Sequence, residues 1–364
     1  ATSKTPLIWE KAMPTIMKAV TFHKHGGPEE LTYEDVAIPQ IGPDEMLVRV
    51  KACALNHLDI WIRQGIPSYT ISLPHISGCD VSGVIDTVGS AYSGHLVPGQ
   101  SVFVMPGISC GNCDECLIGK ENRCAHFHIL GAQRHGGYAE YVAVPAGNVL
   151  PLPANLTFEQ AAAFPLVSVT AWHMVKTLAD VQPGETVLVM GAGSGVGSMA
   201  IQMANLLGAR VLSTVGAEDK KEKATMLGAD AVINHSVENV WERVTALTHG
   251  HGVDVVIEHI GHDVWDPCLK SLARGGRLVT CGATSGGTTQ MDVRYLYSRQ
   301  LTIMGAYMGT RDELVEATHF IETDQLRPVV DSTFPLEEAR TAQERMLARK
   351  NFGKIVLVPE TREA

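Results

Sequence analysis

The sequence predicts an α/β protein of two domains, one rich in β-strands and one built as a doubly wound parallel sheet. At 364 residues the chain is long for a single hydrophobic core, so two domains are expected. In the first half, short strand-forming runs are separated by Gly, Pro and Ser turns. The pattern changes after Pro151 and Pro153. From Glu185 onward strand and helix patterns alternate, as they do when helices cover both faces of a parallel sheet.

Short apolar runs and the turn residues between them define the predicted elements. In the first half they predict strands at residues 17–22, 44–50, 81–88 and 101–105. Residues 158–164 and 168–178 have a helical pattern, and further strands are predicted at 186–190, 209–215, 231–234, 253–258, 277–282 and 301–305. A last strand at 354–358 is expected to pair back onto the strand-rich half.

A glycine-rich turn follows the strand predicted at 186–190. Its glycines are Gly191, Gly193, Gly195 and Gly197. Glycine permits a tight turn and lets a pyrophosphate approach the backbone, while the helix that begins near Val196 directs its first N–H groups at that anion. In the usual G-x-G-x-x-G spacing the third glycine would fall at 196, but here it falls at 197, one residue late. Such a turn alone is weak evidence, but between this strand and this helix it predicts dinucleotide binding.

Composition and charge exclude several classes of function. The chain carries 29 Lys and Arg against 39 Asp and Glu, and its formal net charge of −10 argues against a nucleic-acid partner. No apolar run is long enough to cross a bilayer, and the first residues lack the basic and apolar stretches of a secretory signal. We therefore expect no membrane partner and a cytoplasmic location.

Four of the eight cysteines fall close together in one loop. Cys110, Cys113, Cys116 and Cys124 follow the spacing C-x2-C-x2-C-x7-C. Four thiolates satisfy tetrahedral Zn²⁺ with bonds of about 2.3 Å, and such a closed site holds a loop in place rather than acting as a Lewis acid. An iron–sulfur cluster takes the same ligands, but the spacing and the lack of a flanking proline favour one structural zinc. Cys268 and Cys281 are predicted to be small buried hydrophobes.

Several motifs together resemble the medium-chain dehydrogenase/reductase superfamily, which includes zinc alcohol dehydrogenases and quinone oxidoreductases. The matching stretches are ACALNHLD at 52–59, LPHISGCDVSG at 73–83, the cysteine loop, GGYAEY at 136–141, FPLVSVTAW at 164–172, the glycine turn and GKIV at 353–356. The resemblance covers residues 17–358. It implies a GroES-like catalytic domain at 17–166 and 304–364, an N-terminal extension at 1–16, and a Rossmann domain at 167–303. The active site is then expected in the cleft between the two domains. Subunits of this family commonly pair through the region corresponding to 293–307, so a homodimer or homotetramer is also implied.

The chain departs from this family's alcohol dehydrogenases at the catalytic zinc. The three positions that match the zinc ligands hold Asn56, Cys79 and Leu166, and a Ser or Thr that relays the alcohol proton is replaced by Leu58. Leucine cannot ligate a metal, and one cysteine with a neutral amide is a poor zinc site. We therefore expect no conventional catalytic zinc. An unconventional site stays open as an alternative, and its candidate ligands are Cys79, Asp80, His57 and His75.

Asn56 and Asp59 instead resemble the Asn-x-x-Asp of quinone oxidoreductases, which use no active-site metal. Without a Lewis acid, a conjugated carbonyl is easier to reduce than a simple ketone. Hydride then goes to the far carbon, and the charge on oxygen is met by hydrogen-bond donors. Asn56 and His57 are the predicted donors, and His57 is also able to exchange a proton near neutral pH. Asn56, His57 and Asp59 are thus the predicted catalytic residues, with a satisfied surface histidine as the other interpretation of His57.

The second strand of the Rossmann pattern predicts the choice of nicotinamide. Val215 stands where the NAD-dependent dehydrogenases of this family carry Asp, so no carboxylate blocks a 2′-phosphate there. Lys220 or Lys221 offers positive charge, although Glu218 and Asp219 lie beside them. NADPH is predicted, and NADH stays possible. The predicted cofactor residues are Thr170, Gly191, Gly193, Ser194, Gly195, Val196, Gly197, Gly216, Ala217, Lys221, Ile260 and Gly282.

The leading hypothesis is an NADPH-dependent oxidoreductase that passes hydride to a quinone or enone and holds one structural zinc. The alternatives are an alcohol dehydrogenase with a rebuilt zinc site, a binding protein that keeps the cofactor pocket without turnover, and a zinc-ribbon nucleic-acid binder, which the acidic charge disfavours. The small-molecule carbonyl, quinone or alcohol substrate is not identified, because its pocket depends on side chains from distant segments. Those side chains are Trp61, Tyr69, Phe127, Met304 and Tyr307. Ile8 and Trp9 of the extension are predicted to dock on a neighbouring subunit.

Overall fold

The structure is a computed structural model that describes residues 15–67 and 69–360. Its strands alternate with helices from residue 186 onward, as the sequence predicts. The strands are β1 (Ile16–Phe22), β2 (Thr32–Ala37), β3 (Glu45–Ala54), β4 (His75–Ile76), β5 (Asp80–Val88), β6 (Ser101–Val104), β7 (Gly107–Ile108), β8 (His128–Ile129), β9 (Tyr141–Pro145), β10 (Val149–Pro151), β11 (Thr186–Val189), β12 (Arg210–Val215), β13 (Ala231–Asn234), β14 (Val253–Glu258), β15 (Leu272–Thr280), β16 (Thr302–Gly305), β17 (Val330–Pro335) and β18 (Lys354–Val358).

The helices lie mainly in the second half of the chain. They are α1 (His57–Gln64), α2 (Asp114–Leu117), α3 (Phe158–Ala162), α4 (Pro165–Trp172), α5 (Gly195–Leu206), α6 (Lys221–Met226), α7 (Val240–Leu247), α8 (Trp265–Ser271), α9 (Val293–Arg299), α10 (Arg311–Glu322) and α11 (Ala339–Leu347). A π-helical turn, His173–Leu178, continues α4. Within the described residues no helix is both long enough and apolar enough to cross a membrane.

The doubly wound sheet that the sequence predicts is present. Its six strands are all parallel and lie in the order β13-β12-β11-β14-β15-β16. Side chains of β11 alternate between two buried layers: Val187 and Val189 pack into one apolar cluster, and Leu188 into another. The strand order reverses between β11 and β14, and the carboxyl ends of these two strands form the crevice where ligands bind in such sheets.

The strand-rich part of the chain forms a second sheet. Its strands lie in the order β10-β6-β5-β3-β18-β17, and β9 also pairs with β3. The C-terminal strand β18 runs antiparallel to β3, with Val356 opposite Ala54. The prediction that the last strand pairs back onto the first half is therefore confirmed. This pairing carries Lys354, the first residue of β18, to the start of α1.

Some predicted bounds were wrong. The helix predicted at 158–164 ends at Ala162, and a separate helix, α4, starts at Pro165, a residue that is favoured in the first turn of a helix. The strand predicted at 277–282 starts earlier, at Leu272, and contains a break in register opposite Val253 and Val255. Ile8 and Trp9, with most of the predicted extension, lie outside the described residues.

Candidate active site

A cleft of about 1300 Å³ opens between the carboxyl end of the parallel sheet and the segments that carry α1 and β18. It brings together residues that the sequence predicts separately for cofactor binding and for catalysis. Of the predicted residues, the cleft is lined by Asn56, His57, Thr170, Gly191, Gly193, Ser194, Gly195, Val196, Gly216, Ala217, Ile260 and Gly282. Asp59, Gly197 and Lys221 do not line it, and their positions are described below.

The glycine turn starts α5 in the way that anion binding requires. Ser194 caps the helix, because its Oγ accepts a hydrogen bond of 2.8 Å from the Gly197 N–H. A Cβ on Gly197 would lie 2.2 Å from the Gly191 carbonyl oxygen, so only glycine lets the helix pack this close to the end of β11. Gly197 is therefore a packing residue of the turn, and this explains the glycine that falls one position late.

Asn56 caps α1 and is held by hydrogen bonds on both sides of its amide. Its Nδ2 donates to Asp80 Oδ2 at 2.8 Å and to Cys79 Sγ at 3.2 Å, and its Oδ1 accepts from Lys354 Nζ at 2.5 Å. Both amide hydrogens are thus directed at protein acceptors. The prediction that Asn56 donates to substrate is not supported by this geometry, because the amide instead holds together the groups that line the inner end of the cleft.

Lys354 and Asp80 form a buried ion pair behind Asn56. Their Nζ–Oδ2 distance is 2.9 Å, and the two side chains are 4% and 0% exposed. The other oxygen of Asp80 accepts a bond of 2.8 Å from the Leu166 N–H. The ion pair therefore lies beside Asn56, Cys79 and Leu166. These are the three positions that the family resemblance matches to catalytic zinc ligands. An ammonium group, fixed by two oxygen acceptors, provides positive charge there.

Asp59 lies behind this site and outside the cleft, with 1% of its surface exposed. Its Oδ2 accepts from the Asn56 N–H at 2.8 Å and from the Tyr138 hydroxyl at 2.9 Å, and its Oδ1 accepts from the Gly78 N–H at 3.2 Å. Asp59 thus ties the start of α1 to the segment before Cys79. Asp59 does not line the cleft, so its contacts favour a positioning role over the predicted catalytic one.

The Asp59 carboxyl has a raised pKa. Burial raises this pKa to about 6; the hydrogen bonds from Asn56 and Tyr138 and the charge of Lys354 lower it, and the charge of Asp80 raises it. A protonated carboxyl accepts fewer hydrogen bonds than a carboxylate. We therefore expect protonation of Asp59 to weaken the contacts that join the start of α1 to Gly78.

His57 is half-buried on the cleft wall, with its ring edge-on to Trp61 at a centroid distance of 5.4 Å. Burial lowers the pKa of the imidazole below its usual value, and the nearby charges of Arg349 and His259 add to this lowering. The ring is therefore neutral at pH 7 and carries one N–H. Of the two predicted donors that line the cleft, Asn56 and His57, only His57 has no acceptor for its side-chain N–H among the described residues, so it is the one available to a substrate oxygen.

The lysines predicted to bind a 2′-phosphate are engaged by the protein. Lys221 Nζ lies 3.2 Å from Glu218 and 3.4 Å from Glu238, and Lys220 Nζ donates to the carbonyl oxygens of Arg349 and Asn351. The assignment of Lys221 to the cofactor is therefore not supported by its contacts. Lys220 instead fixes the turn at 349–351, which lines the cleft.

Arg349, on that turn, brings positive charge to the cleft. It lines the cleft beside Gly216 and His235, which follow the ends of β12 and β13. Burial lowers the pKa of His235 and the charge of Arg349 adds to this lowering, as it does for His57. Arg349 thus lies beyond the ends of β12 and β13, where a ribose phosphate is expected in such a sheet. Sequence reasoning missed Arg349, because it lies more than a hundred residues from the glycine turn.

The four predicted zinc ligands converge. Their sulfur atoms all lie within 4.8 Å of one another, with Cys113–Cys116 and Cys110–Cys124 separations of 3.5 Å. Zinc–sulfur bonds of about 2.3 Å in a tetrahedron place the sulfurs about 3.8 Å apart, so the cluster fits the ion. No disulfide joins these cysteines.

The alternative metal site does not assemble. In residues 15–67 and 69–360, no second group of three or more His, Cys, Asp or Glu ligand atoms comes within reach of one ion. His75 lies elsewhere, where its Nε2 bonds the Gly131 carbonyl and its ring packs on Phe22. Burial lowers the pKa of His75 to about 4. Of the predicted substrate-pocket residues, Trp61, Tyr69 and Tyr307 line the cleft, and Phe127 packs against Tyr307.

Comparison with known proteins gives two family matches. Residues 42–154 match the alcohol dehydrogenase GroES-like domain, and residues 195–323 match the zinc-binding dehydrogenase family. The chain is 31% identical over 348 residues to an NAD-dependent alcohol dehydrogenase from Sulfolobus acidocaldarius, covering 94% of this chain and 99% of the relative. It is 30% identical over 352 residues to quinone oxidoreductase 1 of Escherichia coli, covering 93% and 99%. The solved structure of an NAD-dependent alcohol dehydrogenase superposes with a TM-score of 0.91 at 45% identity, covering 94% of this chain and 99% of that one.

Proposed function

Because this chain belongs to the medium-chain dehydrogenase/reductase superfamily of oxidoreductases, we propose that it transfers hydride from NADPH to a conjugated carbonyl, a quinone or an enone. The observation that carries the proposal is the Lys354 ammonium, held by Asn56 and Asp80 at the place of the catalytic zinc ligands. A site with one thiol, one amide already bonded to an ammonium and one leucine is a poor ligand set for zinc.

The chemistry then depends on hydrogen-bond donors rather than a metal. A bound nicotinamide would supply hydride to the carbon of the conjugated system far from the carbonyl, and the resulting enolate would take a proton from solvent. His57 faces the cleft as a neutral imidazole, so its N–H meets the charge that develops on the carbonyl oxygen. Lys354 and Asp80 keep Asn56 and the start of α1 in place, and Thr170 and Leu166 line the same inner end.

The direct test is turnover. NADPH oxidation is followed with cyclohexenone, benzylideneacetone and a benzoquinone, and NADP⁺ reduction is followed with the corresponding saturated and allylic alcohols. The proposal predicts reduction of the conjugated carbonyls and little oxidation of saturated alcohols. Rapid oxidation of a saturated alcohol that a chelator abolishes would favour the alternative below.

An alcohol dehydrogenase is the second candidate. It is favoured by the names of relatives, since an NAD-dependent alcohol dehydrogenase and a quinone oxidoreductase match this chain at nearly equal identity. The contacts around Cys79 argue against it, because the Cys79 sulfur accepts a hydrogen bond from Asn56 and the neighbouring positions hold an amide bonded to Lys354 and a leucine.

The cysteine cluster is assigned to one structural zinc per chain. The separations of its sulfurs fit tetrahedral coordination, and four protein ligands leave no position for substrate. The zinc therefore holds the loop at 110–124 and takes no part in the reduction. Cysteines without disulfide partners are typical of a reducing compartment such as the cytoplasm.

Replacing Arg349 by glutamine is expected to raise KM for NADPH about tenfold or more and to leave KM for NADH within about twofold. A hydrogen-bonded contact with a charged group contributes ~1.5–3 kcal/mol, and only NADPH carries the 2′-phosphate. Steady-state kinetics with both cofactors measures this. The matched control is Lys221→Gln, which should change neither value because Lys221 is paired with Glu218 and Glu238. If Lys221→Gln instead selectively weakens NADPH binding, Lys221 is the residue that binds the 2′-phosphate.

Replacing Tyr138 by phenylalanine is expected to move the acid limb of the kcat/KM profile to higher pH by about one unit. The Tyr138 hydrogen bond lowers the pKa of Asp59, and losing a bond to a carboxylate raises that pKa by about one unit or more. In His57→Gln the acid limb of the kcat/KM profile should persist. If the limb disappears in that variant, it belongs to the His57 imidazole.

The Asp59 carboxyl also makes stability depend on pH, in the opposite direction to a carboxyl whose pKa is lowered by a salt bridge. The pKa of Asp59 in the folded protein, about 6, lies above the ordinary value of 3.8, so its contribution to stability is greatest below pH 3.8 and falls as the pH rises from 3.8 through 6.

A homodimer or homotetramer is proposed through the edge of the parallel sheet. The edge strand β16 pairs with β15 on one side, and the neighbouring helix α9 exposes Val293 and Tyr297. A free strand edge with exposed apolar side chains is a surface that a second copy can cover. Light scattering of the wild type and of Val293→Glu tests this.

A further inference from the structure

Two tyrosines that line the cleft contact each other. The Tyr69 hydroxyl lies 2.7 Å from the Tyr307 hydroxyl. Tyr69 belongs to the segment between α1 and β4, and Tyr307 follows β16 of the parallel sheet, so the bond joins two distant segments of the chain. Both side chains are partly exposed, which lets them separate without uncovering a core.

Tyr307 is supported from behind by the loop that carries the cysteines. Its ring is edge-on to Phe127 at a centroid distance of 5.7 Å, and its carbonyl oxygen accepts from Asn122 Nδ2 at 3.4 Å. Asn122 and Phe127 flank Cys124 in sequence, and Asn122 is 7% exposed. Burial raises the pKa of Tyr307 well above its usual value, so its hydroxyl keeps its proton. The cysteine loop therefore holds one half of the tyrosine pair.

The cleft that holds the tyrosine pair and His57 also has an apolar part to its wall. The side chains that form it are Leu58, Trp61, Ile66, Ile129, Leu166 and Met308. Such a wall binds an apolar body through the area that it removes from water, and it offers few partners for a charged or hydroxylated body.

We propose that Tyr69 and Tyr307 form a gate that selects conjugated carbonyls bearing a bulky apolar group, such as an aryl enone, over small enones. This inference rests on the proposed reduction of conjugated carbonyls and names its substrate class. The carbonyl reaches His57, the apolar group fills the wall described above, and the tyrosine pair closes over it. The gate residues determine specificity and do not touch the reacting atoms.

The experiment compares benzylideneacetone with cyclohexenone in wild type, Tyr307→Ala, Tyr307→Phe and Asn122→Ala. In Tyr307→Ala we expect KM for benzylideneacetone to rise about tenfold, because the aryl group loses the aromatic face against which it would be buried, and KM for cyclohexenone to change less than about threefold. Tyr307→Phe keeps the ring and should retain most of the preference. Asn122→Ala should shift the preference in the same direction by a smaller factor while its zinc content stays unchanged.

Trp241→Ala is the matched control, because Trp241 is an exposed aromatic residue outside both the cleft and the proposed subunit interface. It should leave both KM values unchanged. Equal changes for the two enones in Tyr307→Ala, or no change, would overturn the gate. Binding of the saturated ketone benzylacetone, measured by calorimetry with NADP⁺ present, tests the gate without turnover. If wild type reduces neither enone but Tyr307→Ala still weakens benzylacetone binding about tenfold, the proposed reduction fails and the gate stands.

Discussion

Replacing Lys354 by methionine is expected to lower the free energy of unfolding by about 3–5 kcal/mol and to reduce turnover about 100-fold or more. The substitution leaves the Asp80 carboxylate without its cation at 0% exposure, and an unpaired buried charge carries a cost of this size. It also removes the donor to Asn56 Oδ1, so the start of α1 and His57 shift relative to the cofactor. A displacement of about 1 Å at a reacting centre is enough to cost 100-fold in rate. Urea unfolding and steady-state kinetics measure the two effects.

The double variant Lys354→Met/Asp80→Asn is the control that separates charge from packing. With both charges gone, stability should return to within about 1–2 kcal/mol of wild type, because replacing both partners of a buried pair costs far less than removing one. If the losses of unfolding free energy in the two single variants simply add in the double variant, Lys354 and Asp80 are not coupled, which contradicts the ion pair.

Replacing Gly197 by alanine is expected to weaken binding of the nicotinamide dinucleotide about 10- to 100-fold. The new Cβ would lie 2.2 Å from the Gly191 carbonyl oxygen, so the start of α5 must move away from the end of β11. Overpacking of this kind costs ~1–3 kcal/mol, and here the displaced groups are the N–H donors that face the pyrophosphate. A fluorescence titration with NADPH measures the dissociation constant.

Gly147→Ala is the matched control for this substitution. A Cβ on Gly147 has no heavy atom within 4 Å, and the residue lies in the short helix Ala146–Asn148, far along the chain from the glycine turn. Its NADPH affinity and melting temperature should equal those of wild type. Unchanged affinity in Gly197→Ala would show that the turn tolerates a side chain and that our packing explanation of the late glycine is wrong.

Features that depend on residues close together in the sequence could be predicted from it. The parallel strands, the glycine turn and the four-cysteine loop each depend on residues within a few positions of one another, and each is present as predicted. The pairing of the last strand with the first half of the chain was also predicted, and the partner there is β3.

The inner end of the site depends on contacts that no local pattern shows. Lys354 and Asn56 are 298 positions apart, and Tyr138 and Asp59 are 79 apart. Sequence reasoning therefore assigned the Asn56 amide to substrate, because it could not see the acceptors that take its hydrogens. It chose Lys221 for the same reason: a lysine near the second strand looks available until Glu218 and Glu238 are placed beside it.

We expect the protein to hold one structural zinc and to have the Lys354–Asp80 pair, rather than a second metal, at the positions of the catalytic zinc ligands. Elemental mass spectrometry tests this claim most directly, on wild type, Cys110→Ser and Cys79→Ser purified without added metal. We expect one zinc per chain in wild type and in Cys79→Ser, and none in Cys110→Ser. Two zincs in wild type, one of them lost in Cys79→Ser and the other in Cys110→Ser, would contradict the claim and make the protein a zinc-dependent alcohol dehydrogenase.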